Sequence, residues 1–145
     1  MRLRLPEAGA YRVFADFRTG GRKHTLGEDL FADGAFDALD LPAPADVADA
    51  PGGYRVSLLE GKPGDLRFTV RRGGRAVSDL EPYLGARGHL VALRAGDLAY
   101  LHTHPDGDRL AFETELPTAG RYRMWVQFQL DGRVHTAAFT QEERA

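Results

Sequence analysis

Apolar and polar residues alternate along most of this chain with a period of two, and no stretch shows the 3.6-residue period of an amphipathic helix. The cleanest run is Asp65 to Arg71, where Leu66, Phe68 and Val70 fall on one face and Arg67, Thr69 and Arg71 on the other. Such a pattern predicts a strand with one dry and one wet face. The same alternation predicts strands over 1–5, 11–18, 22–31, 54–60, 89–93, 98–103, 109–116, 122–130 and 133–140. Thr19-Gly-Gly, Gly73–Gly74 and Asp131–Gly132 supply turn signals between neighbours. Two stretches break the rhythm. Residues 76–85, with Leu80, Pro82, Tyr83 and Leu84, have neither period and predict an irregular crossover that tucks its apolar groups under a sheet. Residues 37–53 turn to small residues with Pro42, Pro44 and Pro51, and read as an extended linker.

Short strands at this spacing without intervening helices predict an all-β fold, an immunoglobulin-like antiparallel β-sandwich. The segment Pro117-Thr-Ala-Gly-Arg-Tyr122, just ahead of a long strand, has the form of a tyrosine corner, in which a tyrosine hydroxyl bonds back to the turn before it. Tyr122 is therefore assigned a structural role, and Trp125 and Phe128 on the following strand are expected in the core. The corner occurs twice. Leu5, Pro6, Ala8, Gly9, Tyr11, Arg12, Phe17, Gly21, Arg22, His24 and Thr25 match Leu116, Pro117, Ala119, Gly120, Tyr122, Arg123, Phe128, Gly132, Arg133, His135 and Thr136 at one offset of 111. Self-similarity at a fixed offset marks repeated modules. The chain is thus divided into a partial β module over 1–36, the last three strands of a preceding repeat with Tyr11 as its corner; a linker over 37–52; and a sandwich over 53–145. Three strands cannot bury a core alone. Residues 1–31 are expected to lean on the sandwich or on the same element of a second molecule, and strand exchange offers a route to a homodimer.

A net charge of −2 with interspersed acids and bases leaves no electrostatic footprint for nucleic acid and no polybasic membrane patch. No apolar run approaches the roughly 20 residues of a membrane-spanning helix. Cysteine is absent, which removes disulfides, thiolate ligands and cysteine nucleophiles.

Histidine is what remains for chemistry. His102-Thr-His104 on a strand places two imidazoles on one face about 7 Å apart at their Cα atoms, a spacing suited to two ligands of one metal. Imidazole without thiolate favours Cu(II) or Zn(II). Register decides whether His89 joins them: a four-residue loop over Arg94–Asp97 sets His89 opposite His102 on the same face, whereas a loop of Ala95–Gly96 plus closing residues sets it opposite Thr103 on the other. The four-residue loop is preferred because it gathers Val91, Leu93, Leu98 and Tyr100 on one apolar face, with the histidines at its rim. His135, on the neighbouring hairpin, completes a candidate set of His89, His102, His104 and His135. Against this stands a structural reading, in which the histidines only hold loops, and His24 repeats His135 without a His-x-His beside it. A general base at His102 or His104 with Asp106 or Asp108 lacks a nucleophile, so no enzyme is expected.

The run Gly88-His-Leu-Val-Ala-Leu-Arg-Ala-Gly-Asp-Leu-Ala-Tyr-Leu-His-Thr-His-Pro, with Pro117 to Phe128 and Arg133-Val-His-Thr-Ala-Ala-Phe after it, resembles exported bacterial β-sandwich proteins similar to the YtkA-like group, which carry heavy-metal or copper-handling labels. The resemblance spans about residues 54–140. It implies a location outside the cytoplasm, an immunoglobulin-like fold, and metal binding at His89, His102, His104 and His135. Two functions follow: an extracytoplasmic module binding copper or zinc for buffering, delivery or sensing, or a non-catalytic structural or protein-binding domain without metal.

Overall fold

The computed structural model describes residues 3–59, 64–105, 107–113, 116 and 118–143. Among them are eleven strands and no helix: β1 (Gly9–Thr19), β2 (Arg22–Ala32), β3 (Val47–Ala50), β4 (Tyr54–Leu59), β5 (Asp65–Arg72), β6 (Arg75–Val77), β7 (His89–Arg94), β8 (Tyr100–Thr103), β9 (Ala111–Glu113), β10 (Gly120–Leu130) and β11 (Arg133–Glu143). The chain divides into two compact units, Met1–Asp40 and Leu41–Ala145.

The first unit is the β1–β2 hairpin, paired from Gly9↔Ala32 to Thr19↔Arg22 across the Gly20–Gly21 turn. Both turn glycines have positive φ, 56° and 75°, as a two-residue turn matching the strand twist requires. Phe14 lies across Gly27, where an added Cβ would stand 3.3 Å from its ring, so an aromatic covers the gap that the missing side chain leaves. The predicted strand over 1–5 is corrected. Its described part, Leu3–Leu5, belongs to no strand, because Pro6 behind it has no N–H with which to continue a ladder. Among the described residues the unit has two strands rather than three.

The second unit is a β-sandwich of antiparallel sheets. One sheet runs β11–β10–β7–β8; the other runs β3–β4–β5–β6, with β9 also on β5. Alternation decides which side chains meet between them. Tyr122, Met124, Val126 and Phe128 from β10, Leu90 and Ala92 from β7, Val56 from β4 and Phe112 from β9 are all completely buried. A fully buried side chain of this size contributes about 1.5–3 kcal/mol, so this shared core is the main source of stability. Phe68 bridges the layers, with ring centroids 6.0 Å from Phe112 and 5.3 Å from Phe139.

Three expectations change here. The linker assigned to 37–52 contains β3, and residues before it are tied to the other sheet. Ala45 N–H donates to the Thr140 carbonyl at 3.1 Å, and Arg121 donates to the Leu41 and Pro42 carbonyls. Pro42 and Pro44 have no N–H to leave unpaired and so suit a sheet edge, and a linker composition concealed the sandwich's first strand. Trp125 is not core. It pairs with Val91 on the outer face and is half-buried, because a strand cannot point both 125 and 128 inward. The crossover over 76–85 is irregular as expected, but only Leu80 is buried; Leu84 is 77% exposed at a positive φ of 49°. Two-residue turns of the expected kind close β5–β6 at Gly73–Gly74 and β10–β11 at Asp131–Gly132. Gly61 to Gly64, which the sequence also marks as a turn, falls mostly outside the described residues.

Candidate metal centre

The crossover builds the site before any histidine enters it. Glu81 lies beside β10 where β7 has not yet begun, with its N–H donating to the Gln129 carbonyl at 2.9 Å. Its carboxylate accepts from the Gln129 side chain at 2.8 Å and from the Gly132 N–H at 3.0 Å. These bonds, Gln129's first and the turn amides' second, hold the Glu81 carboxyl below its ordinary value. Tyr83 and Ala86 then exchange backbone bonds at 2.7 and 3.1 Å around Leu84–Gly85. Arg87 returns to the Leu80 carbonyl and pairs with Asp108 at 3.1 Å. At Gly88 the backbone passes so close to β10 that a Cβ would stand 3.0 Å from the Gln127 carbonyl oxygen and would overlap the Leu110 side chain. That close passage sets His89 at the start of β7.

The β7–β8 register is Leu90↔Thr103, Val91↔His102, Ala92↔Leu101 and Leu93↔Tyr100. Neither of the two expected registers is found. The connection is longer because Asp97 organises it: its carboxylate accepts from Arg94 Nε at 3.0 Å and from the Ala99 N–H at 3.1 Å, while Leu98 adopts a φ of 54°. The Arg94 guanidinium, with the Ala99 amide, holds the Asp97 carboxyl far below the usual carboxylate range. Relative to the four-residue loop, this shifts the pairing by two residues, which preserves the face. His89 therefore shares the face of His102 and His104, though that face is the outer one; the core face of β7 is Leu90 and Ala92. The apolar face expected around Val91, Leu93 and Tyr100 accordingly lies outside, half-buried.

His89, His102 and His104 each offer a ring nitrogen, and the three atoms lie within 4.8 Å of one another. His89 is 3% exposed, His102 half-buried and His104 exposed just beyond β8. The ring centroids are 5.7 Å apart for His89–His102, 4.6 Å for His89–His104 and 4.7 Å for His102–His104. His89 Nε2 is 2.8 Å from the Tyr83 carbonyl oxygen. A carbonyl only accepts, so this nitrogen carries the proton, and in the neutral ring Nδ1 carries the lone pair. Nδ1 faces His102 Nε2 at 3.4 Å. Two imidazole nitrogens on one tetrahedral zinc, each about 2.0–2.1 Å from it, stand about 3.3 Å apart. The His89–His102 pair already has that separation.

His135 is not brought into this cluster, and its assignment as a metal ligand is corrected. It sits on the inner face near the β10–β11 turn, 8% exposed. Its Nδ1–H donates to the Pro51 carbonyl at 2.9 Å, and its ring stacks on Phe128 at 5.5 Å and tilts against Tyr54 at 4.6 Å. Those contacts make it a core histidine. Tyr122 donates its hydroxyl hydrogen to the Thr118 carbonyl at 2.8 Å, and Tyr11 does the same to the Glu7 carbonyl at 2.8 Å, so both tyrosine corners form. Pro117 and Asp106 lie outside the described residues. Sequence reasoning missed the Tyr83 carbonyl, Glu81 and Gly88. A backbone acceptor has no sequence signature, and only Gly88's place immediately before His89 pointed to a close approach.

The chain belongs to the family described as a domain of unknown function (DUF8832), which matches residues 48–144. The match begins within β3 and includes every strand from β4 to β11, so it covers all three clustered histidines. No curated protein and no solved structure matches the chain.

Proposed function

We propose that this DUF8832 sandwich is a non-catalytic metal-binding module that holds Zn(II) or Cu(II) through His89, His102 and His104. The observation that carries it is the convergence of three imidazoles, one of them with its tautomer fixed by a backbone carbonyl. A carbonyl or carboxylate behind the far nitrogen is the usual companion of a ligating histidine, because it orients the ring and raises its basicity. His89 has that companion in Tyr83 before any metal arrives. Three imidazoles without thiolate suit Zn(II) and Cu(II) over softer-ligand metals, and leave a coordination position toward solvent from which an ion can be passed on. The sandwich order, β4–β5–β9 against β8–β7–β10–β11, supports the immunoglobulin-like reading. The resemblance to the YtkA-like proteins supports copper handling and a place outside the cytoplasm; fractionation of cells producing the natural protein tests that place.

Binding is tested by thermal melting of the full chain with Zn(II) or Cu(II) at neutral pH. At free metal 100 times the dissociation constant, stability should rise by about 2.7 kcal/mol. His102→Ala should remove the rise and leave the metal-free melting temperature nearly unchanged. The rise should also fade in acid, since protons compete for the same nitrogens. Unshifted wild-type curves with both metals would refute the proposal.

A further inference from the structure

The β1–β2 hairpin repeats β10–β11 in three dimensions, not only in sequence. Phe17 pairs with His24 and Phe128 with His135; Gly9 pairs with Ala32 and Gly120 with Glu143. Every pair in one hairpin maps onto a pair in the other at the same offset of 111 that relates the sequences. The two corner hydrogen bonds are equivalent, Tyr11 to Glu7 and Tyr122 to Thr118. The Phe–His stacks agree as well, 5.3 Å and 19° against 5.5 Å and 25°. Even the polar faces correspond, with Arg12–Asp29 standing where Arg123–Thr140 stands on the outer face of the sandwich.

The difference lies in burial. Phe128 and Ala137 are fully buried, whereas their counterparts Phe17 and Leu26 are 42% and 63% exposed. In β10–β11 this face is covered by β4, β5 and β9, and the free edge of β10 is taken by β7, from Tyr122↔Arg94 to Gln127↔His89. The β1–β2 sheet has two strands only, so the corresponding edge of β1 pairs with no strand among the described residues.

We propose that β1–β2 is the closing hairpin of a second sandwich of this kind, and that its Tyr11–Val13–Phe17–Leu26 face docks onto a β module that lacks its own closing hairpin. That partner lays an apolar antiparallel sheet over the face and adds a strand to the edge of β1. Size argues against a second hairpin as the occupant. An eleven-residue two-stranded face measures about 36 by 10 Å, or roughly 350 Å² per partner, well short of the roughly 800 Å² of a stable interface. A covering sheet plus an edge strand supplies the missing area and main-chain hydrogen bonds. The hairpin also specifies its partner's chemistry. Glu28 stands where Phe139 meets Phe68, so the partner carries a cation at the place of Phe68. Ala15 opposite Leu26 replaces Val126 opposite Ala137, which moves bulk from one strand to the other.

The test co-expresses the full chain with a tagged segment comprising residues 41–119, which carries β3–β9 without a closing hairpin, either as it stands or with Phe68→Arg. Native mass spectrometry of the captured material should show a one-to-one complex, at least tenfold more abundant with Phe68→Arg, and lost when the full chain carries Phe17→Asp and Leu26→Asp. A complex that survives the double variant means that β10–β11 was donated instead and overturns the proposal. Absence of any complex with either segment overturns it too, as does self-association of the full chain that the double variant removes, because a second copy would then be the occupant.

Discussion

Two hairpins of the same four-stranded sheet carry histidines, and the sheet treats them oppositely. On β10–β11, His135 points inward, its proton held by the Pro51 carbonyl and its ring flanked by Phe128 and Tyr54. On β7–β8, His89, His102 and His104 point outward and toward one another. His89 and His135 are almost equally buried, at 3% and 8%, and each has one ring nitrogen at a backbone carbonyl. Burial and a carbonyl bond therefore do not separate a candidate ligand from a structural histidine. What separates them is the ring's other side, where His89 meets two imidazoles and His135 meets aromatic faces.

The comparison is broken most forcefully from the inner side. Phe128→Ala should cost about 3–5 kcal/mol, since it removes a fully buried ring and the surface on which His135 stacks. Chemical denaturation gives the cost. Metal affinity of the folded fraction should not change, because the ring lies on the opposite face from the triad. Gly88→Ala should act on both properties. Overpacking against Leu110 and the Gln127 carbonyl should cost about 1–3 kcal/mol, and metal affinity should fall as His89 is displaced. An unchanged affinity in calorimetric titration would show that the placement of His89 does not depend on that close passage. Leu84→Gly should be a small gain, up to about 1 kcal/mol, because Leu84 holds a positive φ while its side chain is exposed. Loss of stability on that change would mean that the side chain makes a contact worth more than the strain.

The smallest effect is a pH dependence. The Glu81 carboxyl lies below its ordinary value of 4.5 in the folded chain, so its stabilisation is complete above that pH and is lost as acid takes the pH down through the lowered native value. Glu81→Gln should lower the neutral side of the melting-temperature profile toward its acid level, and so flatten the slope between them, while leaving the acid end in place. Equal slopes for the two proteins would show that Glu81 does not anchor the crossover.

The sandwich was legible because period-two alternation reports which face is dry, and Leu66–Phe68–Val70 does so without error. The turns were legible because Gly–Gly and Asp–Gly tolerate the positive φ that a two-residue hairpin demands. The first strand of the sandwich was hidden by Pro42 and Pro44, since an edge segment and a linker have the same composition. In the site, His102 and His104 shared a face by strand parity alone. The place of His89 depended on a loop whose length Asp97 sets through hydrogen bonds that no periodicity encodes, and its fixed tautomer depended on a backbone oxygen. His135 misled because its neighbour in sequence, the β10–β11 turn, says nothing about which face of the sheet it occupies.

The most direct measurement is long-range ¹H–¹⁵N correlation of the imidazole nitrogens in the full chain, taken before and after one equivalent of Zn(II) at neutral pH. His89 Nδ1 and one nitrogen each of His102 and His104 should move to metal-bound shifts, with His89 Nε2 remaining protonated and His24 and His135 unmoved. Binding at His135, binding through His89 Nε2, or no change at His89, His102 and His104 would contradict the assignment of this site.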